Sequence, residues 1–228
     1  MELKVKSLLI ALVLGDGSLI EQKKYKPKNK RNVVLEIQHG CKQEEYIKYK
    51  ANICRRLTGT LCKIKKVEYK RTKINGISIG SSYGFKFTSG HRYYKVLRKW
   101  LYPNDKKHFR RKYLNYLNAE GIAIWYMDDG CTYIDKRRWK SFQGSCEFST
   151  HVDKEEAEML KTYFLEKWNL KFYLHKVKPG YNIRCYNKEA LKFINLIKPF
   201  VPDCMAYKVT IPNEFIHELE TCQNDTMI

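Results

Sequence analysis

Two apolar runs, each closing on Asp-Gly, constrain this chain more than any other feature. The first reads LLIALVLGDGS over residues 8–18, and the second reads GIAIWYMDDGC over residues 121–131. Long-range self-similarity of this kind points to two copies of one plan, and it must be recognised before single elements are assigned. Periodicity alone cannot separate a buried helix from a buried strand in such runs. Their length, and the glycines that follow the acids (Gly17 and Gly130), predict helices closed by a C-terminal glycine cap. The first run follows two lysines and so looks like a secretion signal. It lacks a small-residue cleavage site, is too short to span a bilayer, and recurs in mid-chain. A buried helix is the expectation.

The surroundings repeat as well. A basic loop (21–31) and a strand-like VVLEIQ (33–38) follow the first run; DKRRWK (135–140) and CEFST (146–150) follow the second. Glu36-Ile37 and Glu147-Phe148 then run without a gap to Glu44-Glu45 and Glu155-Glu156. These acids open amphipathic helices expected at about 43–57 and 153–168. Strand pairs are expected at about 60–70 and 76–88 in the first half, around a Gly/Ser-rich stretch. In the second half they fall at about 170–177 and 181–186, across Lys178-Pro179-Gly180. A further helix (about 91–101 and 188–198) and a tail carrying Pro and Lys (100–107 and 199–208) end each half. The order is α-β-β-α-β-β-α, twice. The reading is an α+β chain with a first half at 1–104, a basic linker at 105–118, and a second half at 119–228.

Composition narrows the partner. Lys and Arg total 44 against 24 Asp and Glu, a net charge of +20, and such self-repulsion is relieved by a polyanion such as nucleic acid. A hydrophobic share of 43% excludes a disordered chain. The 17 tyrosines, interleaved with cations, can stack on bases while the cations meet phosphates. The eight cysteines form no CxxC and no Cys/His pairing at zinc spacing. They suit small buried hydrophobes in an intracellular, reducing compartment; organelle, phage and bacterial cytoplasm are equally compatible. No membrane association is expected.

A helix ending on a carboxylate gathers unpaired carbonyls, the negative end of the helix dipole and the side-chain charge at one point. Hard oxygen donors of this kind suit Mg²⁺, which keeps waters and accepts phosphate oxygens. If the two helices pack side by side, Asp16 and Asp129 approach, and their repulsion calls for bound cations. Ala11 and Gly15 would permit a close crossing on the first helix. Ile124 and Asp128 at the matching places make it asymmetric.

Leu9–Gly17 and Ile122–Gly130 resemble the two signature motifs of the LAGLIDADG homing endonucleases, of the two-motif, monomeric type. The resemblance extends over roughly 3–212. It implies that the motif helices join two pseudo-symmetric halves, each laying a four-stranded antiparallel sheet as a saddle in the DNA major groove. It implies that Asp16 and Asp129 bind the metals, helped by the carbonyls of Gly15 and Asp128. Mg²⁺ is the expected ion, with Mn²⁺ substituting and Ca²⁺ binding without supporting cleavage. Lys107 and Lys208 look like the family's active-site lysines, with Lys106 a rival for Lys107. A polar residue after the second strand, Gln38 in one half and Ser149 or Thr150 in the other, is placed to contact the site water.

Groove contacts are expected from Lys24, Lys26, Arg31, Lys63, Lys65, Lys70, Arg71, Lys86, Arg137, Arg138, Lys140, His175, Lys176, Arg184 and Tyr186. Strand alternation would put Lys63 and Lys65 on one face. The implied activity is site-specific hydrolysis of both strands of a long duplex target, leaving 3′ overhangs. Two readings compete. Relatives of this type also serve as maturases that bind their own intron RNA, and loss of an acid would mark such a protein; both acids are present. Tyr126–Asp129 also spells the YMDD box of reverse transcriptases, which leaves the first Asp-Gly motif unexplained. An intein origin is not expected, since the chain has no nucleophilic first residue and no terminal His-Asn.

Overall fold

The computed structural model describes residues 2–22, 32–69, 72–74, 77–79, 82–135 and 142–212. It forms two compact units, one of Leu12–Asp105 and one of Met1–Ala11 with Lys106–Ile228, called here the first and second unit. Both are α+β, and the two apolar runs are helices as expected. Helix α1 spans Leu3–Leu14, and every residue from Leu8 to Leu14 is buried, as a helix apolar on all sides must be. No helix among the described residues is long and apolar enough to cross a membrane.

In the first unit, strands β1 (Ser18–Glu21), β2 (Val33–Gly40), β3 (Lys65–Tyr69) and β6 (Ser82–Gly90) make an antiparallel sheet in the order β1-β2-β6-β3. Alternation on β2 buries Val33, Leu35, Ile37 and His39 and turns Glu36 and Gln38 to the open face. Helices α2 (Glu44–Thr58) and α3 (Arg92–Leu101) cover the buried face with Tyr46, Ile47, Ile53, Tyr94 and Leu97. Gly59 closes α2 in the left-handed conformation (φ 68°), donating its N–H to the Arg55 carbonyl. Where one strand was expected over about 76–88, β5 (Ile77–Ile79) is separate from β6 and pairs with β4 (Thr72–Ile74) as a two-stranded sheet.

The second unit repeats the plan. Its sheet runs β7-β8-β10-β9, from β7 (Gly130–Ile134), β8 (Gly144–Val152), β9 (Tyr173–Lys176) and β10 (Tyr181–Tyr186). Helices α6 (Lys154–Trp168) and α7 (Asn187–Ile197) pack on it beside α5 (Ala119–Asp129). The basic stretch 105–118 is itself folded: it holds α4 (Arg111–Leu114) and buries Tyr113, Leu114 and Leu117. Cys54, Cys62, Cys146 and Cys185 are buried free thiols, as expected, whereas Cys131 and Cys204 are exposed and Cys41 is half-buried.

The start of α1 belongs to this unit and meets the start of α5 closely. Ser7 Oγ donates to Asn118 Oδ1 at 2.7 Å and accepts from the Asn118 N–H at 2.9 Å, while Asn118 Oδ1 caps α5 through the Gly121 N–H. A Cβ at Gly121 would run into Ser7 Oγ, so glycine sets this approach.

Candidate active site

Strand register fixes which residues of the two copies correspond. Ser18 pairs with Glu36 and Cys131 pairs with Glu147, so Asp16 matches Asp129 and Gly17 matches Gly130. The acids do not end their helices in the same way. Helix α1 stops at Leu14 and Asp16 lies in the turn beyond it, whereas Asp129 is the last residue of α5.

Gly130 caps α5 as expected, its N–H donating to the Tyr126 carbonyl, whereas α1 ends at Leu14, ahead of Gly17. Gly130 is extended (φ −86°, ψ 149°), and Gly17 is not among the residues with positive φ. Their reason is steric. A Cβ on Gly17 would strike the Leu12 carbonyl and lie 2.8 Å from Leu35 Cδ1, and one on Gly130 would strike the Tyr126 ring and carbonyl. Only a bare Cα lets the chain leave the helix directly into the first strand.

In the second unit the acid is held by an apolar core. Trp125 is fully buried, 4.4 Å from the Phe148 ring and 5.0 Å from Phe109, and its Nε1–H donates to Asp129 Oδ2 at 3.1 Å. A side chain from far along the sequence reaches the same helix end: Lys208 Nζ donates to the Gly130 carbonyl at 2.8 Å and the Asp128 carbonyl at 3.5 Å. A cation among C-terminal carbonyls is favourable. The Lys208 carbonyl accepts from Thr132 Oγ1, which also meets Tyr126 Oη at 2.6 Å, so the lysine's backbone is anchored as well.

In the first unit the matching acid has different company. His39 Nδ1 lies 3.6 Å from Asp16 Oδ2 and 3.1 Å from Gln43 Oε1. Lys50, on α2 and fully buried, places Nζ 3.1 Å from His39 Nε2 and 4.0 Å from Asp16 Oδ2. It also sits 4.7 Å above the Tyr46 ring. Neither His39 nor Lys50 was singled out in the sequence. Both were findable: 39 falls on the buried parity of β2, and 50 falls on the apolar stripe of α2 with Tyr46, Ile47, Ala51 and Cys54. Gln38, next to His39, is exposed on the open face, in a row with Lys86 and Lys65. Between α3 and α4 of the chain, Lys107 is half-buried whereas Lys106 is exposed.

The open face of the second unit's sheet carries Glu147 at its centre. It accepts from Asn182 Nδ2 at 2.6 Å and from His175 Nδ1 at 2.8 Å, and it pairs with the Arg184 guanidinium. Burial pushes the Glu147 carboxyl upward, but the Asn182 and Arg184 hydrogen bonds and the neighbouring positive charge outweigh it and hold the acid below the usual range. Tyr133, Tyr173 and Tyr186 are exposed on the same side. Only Tyr186 of the three was expected there. Lys176 ends β9 and is exposed, on the opposite parity from His175. Lys63 precedes β3 and Lys65 opens it; both are exposed, but strand alternation does not apply to the first. Lys24, Lys26, Arg31, Lys70, Arg71, Arg137, Arg138 and Lys140 lie outside the described residues.

Similar proteins bear on this arrangement. Protein RecA of Mycobacterium gastri is 26% identical over 210 residues, 89% of this chain but 46% of that protein. Probable intron-encoded endonuclease 1 of Wickerhamomyces canadensis is 28% identical over 123 residues, 54% of this chain and 53% of that protein. The chain therefore spans about half the length of these curated relatives. Among solved structures, the homing endonuclease I-WcaI bound to its DNA recognition sequence superposes with a TM-score of 0.75 at 23% identity, over 92% of this chain and 88% of that one. Meganuclease I-SmaMI bound to uncleaveable DNA gives a TM-score of 0.51 at 10% identity, over 96% and 90%. These likenesses establish the fold. Residues 6–193 match the model of the LAGLIDADG DNA endonuclease family, and with the repeated motif helices and a four-stranded antiparallel sheet in each unit, the chain belongs to that family.

Proposed function

We propose that the protein is a site-specific homing endonuclease that hydrolyses both strands of a long double-stranded DNA target, leaving 3′ overhangs. The observation that carries this reading is Lys208. Across 79 residues of sequence the fold returns an ammonium to the helix end that bears Asp129, in the unit where the family resemblance places both. An acid and a fixed cation at one point suit a phosphodiester, whose charge rises as a nucleophile adds.

The donor set fits a divalent cation. Asp16 and Asp129 are carboxylates reachable from solvent, and the carbonyls of Gly15 and Asp128 stand beside them in sequence. A bound Mg²⁺ would supply Lewis acidity and a water of lowered pKa, Mn²⁺ would replace it, and Ca²⁺ would bind without supporting cleavage. Asp16 and Asp129 would each serve as a metal ligand from its own unit, one acid for each strand. Lys208, and Lys107 as its counterpart, stabilise negative charge on the phosphate. Trp125 holds Asp129 in one rotamer through the indole N–H. The sheet faces bind the duplex: Arg184, His175 and Tyr186 from one, Lys65 and Lys86 from the other. One chain carries both copies, so the active species is a monomer.

The test uses duplex DNA carrying the insertion site of the protein's own gene, with Mg²⁺. Wild type is expected to cut both strands, and Asp16→Asn and Asp129→Asn each to abolish double-strand cleavage. If either variant cuts both strands at the wild-type rate, the assignment of that acid is wrong. A parallel binding assay with the gene's own intron RNA reports whether RNA is a second partner.

A further inference from the structure

We propose that Lys50 and His39 are positioning residues for Asp16, and that this buried pair makes the two catalytic carboxylates unequal. The inference rests on the nuclease reading for its consequence in cleavage, but not for its geometry.

A fully buried ammonium is costly unless paired and hydrogen-bonded. Lys50 meets that need at His39 Nε2 (3.1 Å) and Asp16 Oδ2 (4.0 Å), both supplied by other elements of the first unit. An ammonium has donors and no acceptor, so Nε2 must accept and the ring proton must sit on Nδ1. That N–H then faces Gln43 Oε1 at 3.1 Å and Asp16 Oδ2 at 3.6 Å. Lys50 thus fixes the tautomer, and the tautomer turns a donor toward the carboxylate. A helix lysine serving only solubility would be exposed, as Lys48 is in its exposed pairings with Glu44 and Glu45.

Among the described residues of the second unit, the matching places do not carry this pair. The places matching His39 and Lys50 are Thr150 and Lys161, reached by the same offset that pairs Glu36 with Glu147. Thr150 Oγ1 donates to the Tyr181 carbonyl at 3.0 Å, and Lys161 is partly exposed and pairs with Glu158. Asp129 instead takes its donor from Trp125, whose counterpart in the first copy, Leu12, has none. The two acids occupy equivalent positions and are oriented by unrelated groups.

Two readouts test this. In metal-free protein labelled with ¹⁵N-histidine, His39 is expected as the Nδ1–H tautomer, shifting to a mixture in Lys50→Met. A protonated Nε2 in wild type, or an unchanged tautomer in Lys50→Met, overturns the link between the two residues. On a duplex with differently labelled strands, Lys50→Met is expected to slow nicking of one strand ~10-fold or more and to spare the other. Lys161→Met should slow neither, and Lys50→Met should add nothing in a His39→Ala background. Equal slowing of both strands, or of neither, overturns the proposal; a melting temperature on each variant separates equal slowing from partial unfolding. If wild type cuts no strand while the tautomer still switches with Lys50, the nuclease reading fails and the positioning of His39 stands.

Discussion

The two units place an aspartate at the same point of the same plan and hold it by opposite means. In the second, Asp129 is fixed by a neutral indole N–H whose ring is wedged among Phe109, Phe148 and Phe164. In the first, Asp16 stands beside a buried lysine and histidine. An apolar cluster stabilises the fold and fixes its polar tip as a by-product. A buried charge adds little stability, and its retention calls for another reason. The repeat keeps an acid at the same place and leaves its support free to differ.

The sharpest way to break this contrast is to empty each core in turn. Phe148→Ala removes a ring that contacts Trp125, Tyr126, Phe164, Phe172 and Phe193, and should cost about 3–5 kcal/mol in urea unfolding. Lys50→Met, of similar length and fully apolar, removes the buried charge but leaves His39 Nε2 without its donor, so it should cost less, about 1–3 kcal/mol. A destabilisation by Lys50→Met comparable to that of Phe148→Ala would show that the ammonium supports the fold as the aromatic core does.

How much of this was legible follows from where each signal lives. The apolar runs, the correspondence of Glu36 with Glu147 and the helices after them depend on local periodicity, and register later paired those glutamates with matching first-strand residues. Lys208 was legible only through the family resemblance, because nothing local distinguishes it from a solvated lysine. Gly130 caps its helix as expected, but what demands glycine at both motif ends is a clash with residues four or five positions back, invisible in a turn-based reading. Lys50 was missed because a lysine in EEYIKYKANICRR reads as a charged face, although its spacing put it among apolar neighbours. The partners that make its burial tolerable come from β2 and the Asp16 turn, which sequence order does not bring together.

A smaller effect sharpens the comparison at the acids themselves. Trp125→Phe keeps most of the ring packing and deletes one hydrogen bond to a carboxylate, a loss of about 1.5–3 kcal/mol. Under the proposed function this should appear as slower nicking of the strand served by Asp129, with the other strand unaffected. Lys50→Met should give the mirror-image pattern. Slowing of the same strand by both variants would mean that the two supports converge on one acid.

The smallest expected effect concerns the acids at the centre of the two sheets. Glu147 gathers Asn182, His175 and Arg184, while among the described residues its counterpart Glu36 pairs with Lys86 Nζ at 3.5 Å. Among the described residues, then, Glu147 has the richer set of partners, and its carboxyl is held below the usual range, so it binds protons less readily folded than unfolded. Its contribution to stability is therefore fully present above the unfolded value, about 4.3, and is lost as pH falls through the lower folded value. Glu147→Gln should separate from wild type in urea midpoint at pH 7, and the two curves should converge on acidification below about pH 4.3. Glu36→Gln should show a narrower separation at pH 7. If the Glu147→Gln gap persists unchanged in acid, charge does not organise the cluster, and Arg184 and His175 are held on the sheet by packing alone.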